Sequence, residues 1–240
     1  MRIAVVLLAL ALGCPPGAGL SEEVSKLAVA ATQAAGDVPA RLRPRARLGV
    51  LPNARWAHRP GADLWTRAAM VAMQGHGAPL IKMVPGDIRN WCPAYPQAGP
   101  DQRGAFWVGF MSALAKHEST YRADAVGGGG LWYGLLQILP ATARGYRCRA
   151  RSGEALKDGA ANLSCAIRIM AVTVPRDGVV HGYTKAKKRR WRGVSADWGP
   201  MRSSKKRADM AGWLRKQSYC KSTRTIRPVL RPEGLAMQKG

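Results

Sequence analysis

The stretch AKHESTYRADAVGGGGLWYGLLQILPATARGY, residues 115–146, contains the features that decide the fold. It begins at the end of an apolar run, AFWVGFMSALAK (105–116), whose spacing predicts a helix. Four residues of this helix recur at intervals of four, three and four positions and therefore share one face: Trp107, Met111, Leu114 and Glu118. Glu118 thus continues a stripe that is expected to be buried, and does not belong to the polar face.

A glutamate in this position has an unusual chemical environment. The chain contains five glutamates, and of these only Glu118 extends an apolar stripe. A buried carboxyl loses hydration of its charged form, which raises its pKa toward neutrality. A carboxylic acid that is neutral near pH 7 can protonate a glycosidic oxygen as a general acid. The alternative is a half-buried glutamate paired with an arginine, and periodicity alone does not separate the two.

The residues that follow Glu118 form an ordered set of motifs. An ES pair ends the helix, a glycine-rich turn comes next, then GLLQI (134–138) and PATA (140–143). This order resembles the lytic transglycosylases of the soluble (SLT) type, which are lysozyme-like muramidases. The resemblance is close over residues 103–147 and looser to about residue 200. It implies a mainly α, lysozyme-like helical domain with an irregular N-terminal extension and a basic C-terminal region.

The resemblance also implies a reaction and a set of site residues. In that family one glutamate, here Glu118, protonates the bond between N-acetylmuramic acid and N-acetylglucosamine and then acts as base, which leaves a 1,6-anhydro end. Trp132 could stack on a sugar face or pack in the core. The substrate-binding residues expected on this basis are Ser119, Tyr133, Gly134, Leu135, Gln137, Asp197 and Trp198.

The third motif of the family is altered in this chain. Where an AYNAG-like stretch is usual, the nearest equivalent is VSADWGP (194–200), with Asp197 or Trp198 at the place of the tyrosine or asparagine. Asp197 or Asp124 could instead hold a water, which would make the protein a hydrolysing muramidase with two carboxyls about 6.5–9.5 Å apart. A catalytically inactive wall-binding module is the other alternative.

Metal and cofactor chemistry is not indicated. HEST (117–120) begins like the zinc motif HExxH, but Tyr121 occupies the place of the second histidine. The sequence has no CxxC pair, and the four glycines at 127–130 are not followed by the GKS or GKT of a phosphate-binding loop. We therefore expect neither a metal nor a cofactor.

The N-terminus predicts export and sets the domain limits. A positive start, ten apolar residues and a run of small residues indicate a signal peptide at 1–19, and lipoprotein processing at Cys14 is the less favoured alternative. We expect a partly helical extension at 20–85, the lysozyme-like domain at 86–221 and a basic, flexible tail at 222–240. The predicted location is the periplasm or cell envelope, with no membrane anchor after cleavage.

The cysteines fit this compartment. Without Cys14, four remain, and an even number in an exported chain predicts two disulfides in one of three connectivities. We favour Cys148–Cys165, which closes a short loop, and Cys92–Cys220, which ties the tail back to the domain.

The charge is strongly basic. The formal net charge is +24, and the last sixty residues hold 17 Lys or Arg and 3 acids, a net +14. Such a charge attracts polyanions. We expect peptidoglycan glycan strands as substrate and the anionic envelope as a partner of the C-terminal region; a solvated tail is the alternative. Nucleic acid is disfavoured, since the chain carries an export signal and no known nucleic-acid motif.

Overall fold

The computed structural model describes residues 51–185, 188 and 190–221. In this part the helices are α1 Ala62–Gln74, α2 Ala78–Lys82, α3 Pro100–Glu118, α4 Pro140–Gly145, α5 Gly153–Leu156, α6 Gly159–Asp177 and α7 Ser204–Arg215. Single turns of 3-10 helix occur at Ile88–Asn90, Tyr95–Gln97, Val194–Ala196, Gly199–Arg202 and Ser218–Cys220. The prediction of a mainly α fold is confirmed.

Helix α3 runs through the middle of the molecule. It begins with Pro100 at its first position, where the missing N–H costs nothing. All residues from 104 to 115 are buried, because α1, α2 and α7 contact it on different sides. The stripe of Trp107, Met111 and Leu114 is buried as predicted, and so is the opposite face. Glu118 is the last residue of this helix and lies where the helix leaves the core.

Helix α6 packs against α1 and supports the loop that follows α3. The side chain of Asp158 caps its N-terminus by accepting a hydrogen bond from the Ala161 N–H at 2.7 Å. The helix ends at Gly178, whose φ of +72° is a conformation that suits glycine. The predicted helix at 160–174 is thus confirmed and extends slightly further at both ends.

Two short antiparallel hairpins complete the fold. Strands β1 (Val126–Gly127) and β2 (Trp132–Tyr133) pair with Gly127 opposite Trp132, so the glycines at 127–130 form the hairpin turn. Strands β3 (His181–Tyr183) and β4 (Trp191–Gly193) pair with Gly182 opposite Arg192. The first hairpin lies beside the C-terminal end of α3 in the chain and borders the cleft described below.

The hydrophobic core agrees with the prediction and extends beyond it. The predicted core residues are all at most 3% exposed: Met111, Leu114, Leu135, Ile138, Leu163 and Ile167. The same core includes Trp56, Met73 and Leu80, which belong to the segment predicted as an extension. The boundary predicted between residues 85 and 86 therefore does not coincide with a boundary of the core, because α1 packs on α6 and α3.

Both predicted disulfides are present. Cys92 bonds to Cys220 with a Cα–Cα distance of 4.8 Å, and Cys148 bonds to Cys165 with a Cα–Cα distance of 5.2 Å. The predicted signal peptide with Cys14, the start of the extension and the tail at 222–240 lie outside the described residues. Within the described residues, no helix has the length and apolar character needed to cross a bilayer.

Candidate active site

A cleft of about 420 Å³ opens at the C-terminal end of α3. Glu118 contributes to its lining, and Trp132 and Gln137 come from the first hairpin and the loop after it. The segment that follows β4 supplies the remaining side: Asp197, Trp198, Gly199, Pro200 and Arg202. The cleft thus brings together three parts of the chain that are far apart in sequence.

Glu118 has the environment that the sequence predicted. Burial raises the pKa of its carboxyl to about 7, and the positive charge of Lys206 opposes this rise. No residue of the described part of the chain forms a hydrogen bond or ion pair with the Glu118 side chain. Glu154 differs in both respects, since its side chain is 82% exposed and paired with Lys157 at 2.6 Å. Glu118 can therefore be a neutral acid near pH 7.

Ser119 holds the end of α3 and does not face the cleft. Its hydroxyl donates to the carbonyl oxygen of Leu135 at 2.9 Å, and its oxygen accepts from the Arg122 N–H at 3.2 Å. The side chain is buried among these groups. These hydrogen bonds fix the backbone next to Glu118, and the expected contact of Ser119 with substrate stays a prediction.

Gln137 lines the cleft as expected and is held by its own amide group. Its Nε2 donates to the carbonyl oxygens of Gly134 at 2.9 Å and Ala125 at 3.2 Å. Its Oε1 lies so close to Gly127 that a Cβ at that position would collide with it. With both amide hydrogens directed at protein carbonyls, the oxygen remains as the acceptor for a ligand hydroxyl.

Two tryptophans line the cleft in different ways. Trp132 is 44% exposed, and its ring lies directly against Gly128, where any Cβ would overlap the ring. Trp198 is only 3% exposed, and its Nε1 donates to the carbonyl oxygen of Leu136 at 2.9 Å. Trp132 therefore offers an aromatic surface to solvent, whereas Trp198 is a fixed part of the wall.

Three expected substrate-binding residues, Leu135, Tyr133 and Gly134, are not among the residues that line the cleft. Leu135 is 0% exposed and belongs to the core. The Tyr133 hydroxyl donates to the Gly130 carbonyl oxygen at 2.6 Å, and its ring contacts Gly153. Gly134 has a φ of +80°, and a Cβ there would collide with the Leu156 carbonyl oxygen, so packing explains this glycine and not the approach of a sugar. The contacts of these three residues with the rest of the protein support the segment that carries Gln137.

Asn162 supports this arrangement and was not predicted. Its Oδ1 accepts from the Leu136 N–H at 2.9 Å, and its Nδ2 donates to the carbonyl oxygens of Tyr133 and Leu156, each at 2.9 Å. The side chain is fully buried, so all three bonds matter to stability. The available signal was an asparagine inside the apolar run of α6, at a position that the helical period places in the core.

Asp197 is the second carboxyl of the cleft. Desolvation at the cleft wall raises its pKa to about 6, although much of the residue's surface stays exposed; Arg176 and Arg202 oppose the rise, and Asp177 adds to it. The other candidate, Asp124, lies outside the cleft lining with its side chain 78% exposed and 3.6 Å from Arg122. The altered third motif thus brings the carboxyl of Asp197 into the cleft. Asp124, the other residue considered for a second carboxyl, does not line it.

Asp209 of α7 connects the end of α3 to the rest of the fold, and sequence reasoning missed it. It accepts from Arg55 at 2.7 Å, His117 at 2.8 Å and Lys116 at 3.1 Å. These hydrogen bonds, that of Arg55 first, hold the pKa of Asp209 well below its usual range. Burial lowers the pKa of His117, against the opposing effect of Asp209. His117, the residue before Glu118, is thus held by Asp209 near the C-terminal end of the described chain, and Asp209 is in turn held by Arg55 near its N-terminal end.

The described residues contain no group of three or more His, Cys, Asp or Glu side chains arranged to hold a metal ion. The chemistry available in the cleft is that of its carboxyls, its amide oxygen and its exposed aromatic ring.

Comparison with known proteins agrees with this arrangement. The family model described as the transglycosylase SLT domain matches residues 99–184. A solved structure named Bd0314 DslA, wild-type form 2, is 27% identical with a TM-score of 0.61, and the alignment covers 68% of this chain and 94% of that one. A form of DslA in which a glutamate is replaced by glutamine is 25% identical with a TM-score of 0.63, over 72% of this chain and 100% of that one. No curated protein matches the chain.

The matched region includes α3 with Glu118, the glycine hairpin and the loop with Gln137, while Asp197 and Asp209 lie beyond it. The motifs and the lysozyme-like helical fold thus coincide with residues 99–184, which are similar to the transglycosylase SLT domain.

Proposed function

We propose that this protein is a lytic transglycosylase that cleaves the β-1,4 bond between N-acetylmuramic acid and N-acetylglucosamine and leaves 1,6-anhydro-muramic ends. The observation that carries the proposal is Glu118, a desolvated carboxyl with a pKa of about 7 and no described partner at the edge of a sugar-sized cleft. A carboxyl of this pKa gives up and regains a proton near neutrality, which the reaction requires of a single residue.

The proposed reaction needs no water and no second carboxylate. Protonated Glu118 gives its proton to the glycosidic oxygen, and the bond between that oxygen and the anomeric carbon breaks. The 6-hydroxyl of the muramic residue then attacks the anomeric carbon and loses its proton to the Glu118 carboxylate. The anhydro ring closes, the N-acetylglucosamine end leaves with its hydroxyl, and Glu118 is protonated again.

The cleft offers binding groups of the kind that sugars use. The exposed ring of Trp132 supplies a flat apolar surface for a pyranose face, and the Oε1 of Gln137 supplies an acceptor for a hydroxyl or acetamido N–H. Both are pressed against glycine backbone, at Gly128 and Gly127, so they are held in place before a glycan arrives.

Mass spectrometry of the soluble muropeptides released from purified peptidoglycan tests the proposal. We expect anhydro-muramic ends from the protein and none from Glu118→Gln. Glu154→Gln is the matched control, because it makes the same chemical change at an exposed glutamate and should leave the products unaltered. Products that persist unchanged in Glu118→Gln would overturn the assignment.

A hydrolytic muramidase is the second candidate, and it is favoured by one observation, the Asp197 carboxyl in the same cleft. On that mechanism Asp197 would activate a water, and the products would carry reducing muramic ends. Asp197→Asn would then abolish release, whereas a transglycosylase would keep its anhydro products. No release from the unaltered protein, with binding to sacculi retained, would identify an inactive wall-binding module.

We also propose that the protein is exported to the periplasm or cell envelope and that basic residues of the C-terminal region hold it on the anionic wall. Two disulfides fit an oxidising compartment, and Lys205 and Lys206 are exposed at the start of α7. Binding to sacculi should weaken with rising salt and on removal of residues 222–240. Insensitivity to both would contradict the electrostatic attachment.

A further inference from the structure

A second cavity, of about 260 Å³, shares no lining residue with the cleft at Glu118. Its wall consists of the disulfide Cys148–Cys165, Ser164 of α6 and three basic side chains, His76, Arg149 and Arg168. No carboxylate contributes to the lining. The cavity therefore concentrates positive charge in a concave site without an internal counter-charge.

The two arginines of this cavity have no partner in the described part of the chain. No residue among 51–185, 188 and 190–221 forms a hydrogen bond or ion pair with the side chain of Arg149 or Arg168. Two arginines elsewhere in the fold show the contrast: Arg55 pairs with Asp209, and Arg103 donates to the carbonyl oxygens of Tyr95, Ile81 and Pro96. An unengaged guanidinium presents a planar fork of donors that fits carboxylate and phosphate oxygens.

The histidine is fixed at the cavity wall by its own hydrogen bond. The Nε2 of His76 lies 2.8 Å from the carbonyl oxygen of Ser164. A carbonyl oxygen only accepts, so Nε2 carries the proton and the ring is oriented by α6. This contact ties the segment after α1 to the same helix that carries Arg168.

The disulfide brings the backbone segments that carry the two arginines together. Arg149 directly follows Cys148, and Arg168 lies about one helical turn after Cys165 on α6. The two cysteine Cα atoms are 5.2 Å apart, so the disulfide holds the backbones that carry the two arginines close together. Only the arginine side chains then need to be ordered when an anion binds.

We propose that this cavity is an oxyanion-binding site that takes a single phosphate or carboxylate group through Arg149 and Arg168. The site is independent of the chemistry at Glu118. It would attach the protein to an anionic polymer of the envelope at a defined point, in addition to the diffuse attraction of the net positive charge.

Titration of the oxidised full chain with inorganic phosphate, and separately with acetate at constant ionic strength, tests this proposal. The readout is the NMR signal of the arginine Nε–H groups. We expect saturable shifts at Arg149 and Arg168, and an affinity about tenfold weaker in Arg149→Gln and in Arg168→Gln, because each variant removes one charge-assisted contact. Arg149 is exposed, so its variant should fold normally, which a thermal melt checks.

Arg59→Gln is the matched control, since Arg59 is exposed, has no described side-chain partner and carries the same charge. Tighter binding of phosphate would point to a phosphate-bearing polymer, and tighter binding of acetate to peptide carboxylates; either supports the site. The absence of saturable shifts, or an equal loss of affinity in Arg59→Gln, would overturn it.

Discussion

At the scale of single residues, the pKa of Glu118 determines how activity should depend on pH. The acid step needs the protonated carboxyl, so we expect kcat/KM to fall as pH rises through about 7. The positive charge of Lys206 lowers this pKa, and its removal in Lys206→Gln should shift the alkaline limb to higher pH. Measured pH–rate profiles check the shift.

Lys205→Gln serves as the control for this prediction, because it removes the same charge from the neighbouring exposed position, which does not act on Glu118. An identical shift in both variants would mean that the overall charge, and not the placement of Lys206, tunes the carboxyl.

The same carboxyl should cost stability where it ionises. Its pKa rises from an ordinary 4.5 to about 7 in the folded protein, so the folded state binds this proton more tightly than the unfolded chain. The folded protein therefore has its full stability below about pH 4.5, where Glu118 is protonated in both states, and loses the stability linked to this proton as pH rises through about 7. Glu118→Gln should therefore raise the free energy of unfolding by about 1–3 kcal/mol at pH 8 and by little at pH 4.

Urea unfolding at the two pH values measures this difference, with Glu154→Gln beside it. A gain at pH 8 that equals the gain at pH 4 would show that improved packing, and not the loss of a buried charge, stabilises the variant.

At the scale of elements, the glycine hairpin between β1 and β2 positions the exposed tryptophan. A Cβ at Gly128 would overlap the ring of Trp132, whereas at Gly129 it would meet nothing within 4 Å. Both glycines have positive φ, +58° and +66°, so alanine causes similar backbone strain at either position. Gly128→Ala should therefore displace Trp132 and raise KM several-fold more than Gly129→Ala.

Kinetics on soluble glycan strands, together with the fluorescence of Trp132 in each variant, would measure this effect. Equal KM values in the two alanine variants would indicate that the ring is not required where the structure places it.

Sequence patterns predicted the elements better than the contacts between them. The spacing in α3 and the order of motifs after Glu118 depend on neighbouring residues. The spacing predicted the helix, and the motifs named Glu118 and Gln137, which line the same cleft. The hydrogen bond of Ser119 to Leu135, the support of Leu136 by Asn162 and the packing of Gly134 against Leu156 join residues 16 to 26 positions apart. Local periodicity carries no information on such contacts, so it did not indicate that four of the expected substrate-binding residues are absent from the cleft lining: Ser119, Tyr133, Gly134 and Leu135.

At the scale of the whole molecule, the disulfide Cys92–Cys220 joins positions 128 residues apart and Cys148–Cys165 joins positions 17 apart. A cross-link restricts the unfolded chain more when the loop is longer. Replacing Cys92 and Cys220 by alanine should lower the free energy of unfolding by about 2–5 kcal/mol, and replacing the other pair should cost less. Urea unfolding of both double variants tests the order, and a reversed order would mean that local packing dominates.

The core could be predicted only in part, because the core residues that precede α3 in the sequence belong to no recognised motif. Trp56, Met73 and Leu80 lie in the segment predicted as a partly helical extension, yet all three are fully buried in the core. Their burial follows from the surface that α3 and α6 present, which exists only in the folded molecule. The predicted domain boundary at residue 85 was based on composition, whereas α1, which precedes it, packs against α3 and α6, which follow it.

The hydrogen bonds of Asp209 have a consequence for how such a protein can evolve. Arg55 and Asp209 lie on opposite sides of the matched region 99–184 in the sequence. Asp209 accepts hydrogen bonds from Arg55 and from Lys116 and His117, the two residues before Glu118. A gene segment encoding only the matched region would lack both anchors and much of the core. Recombination could therefore not move this region between proteins as a self-sufficient cassette, and the flanking segments must be inherited with it.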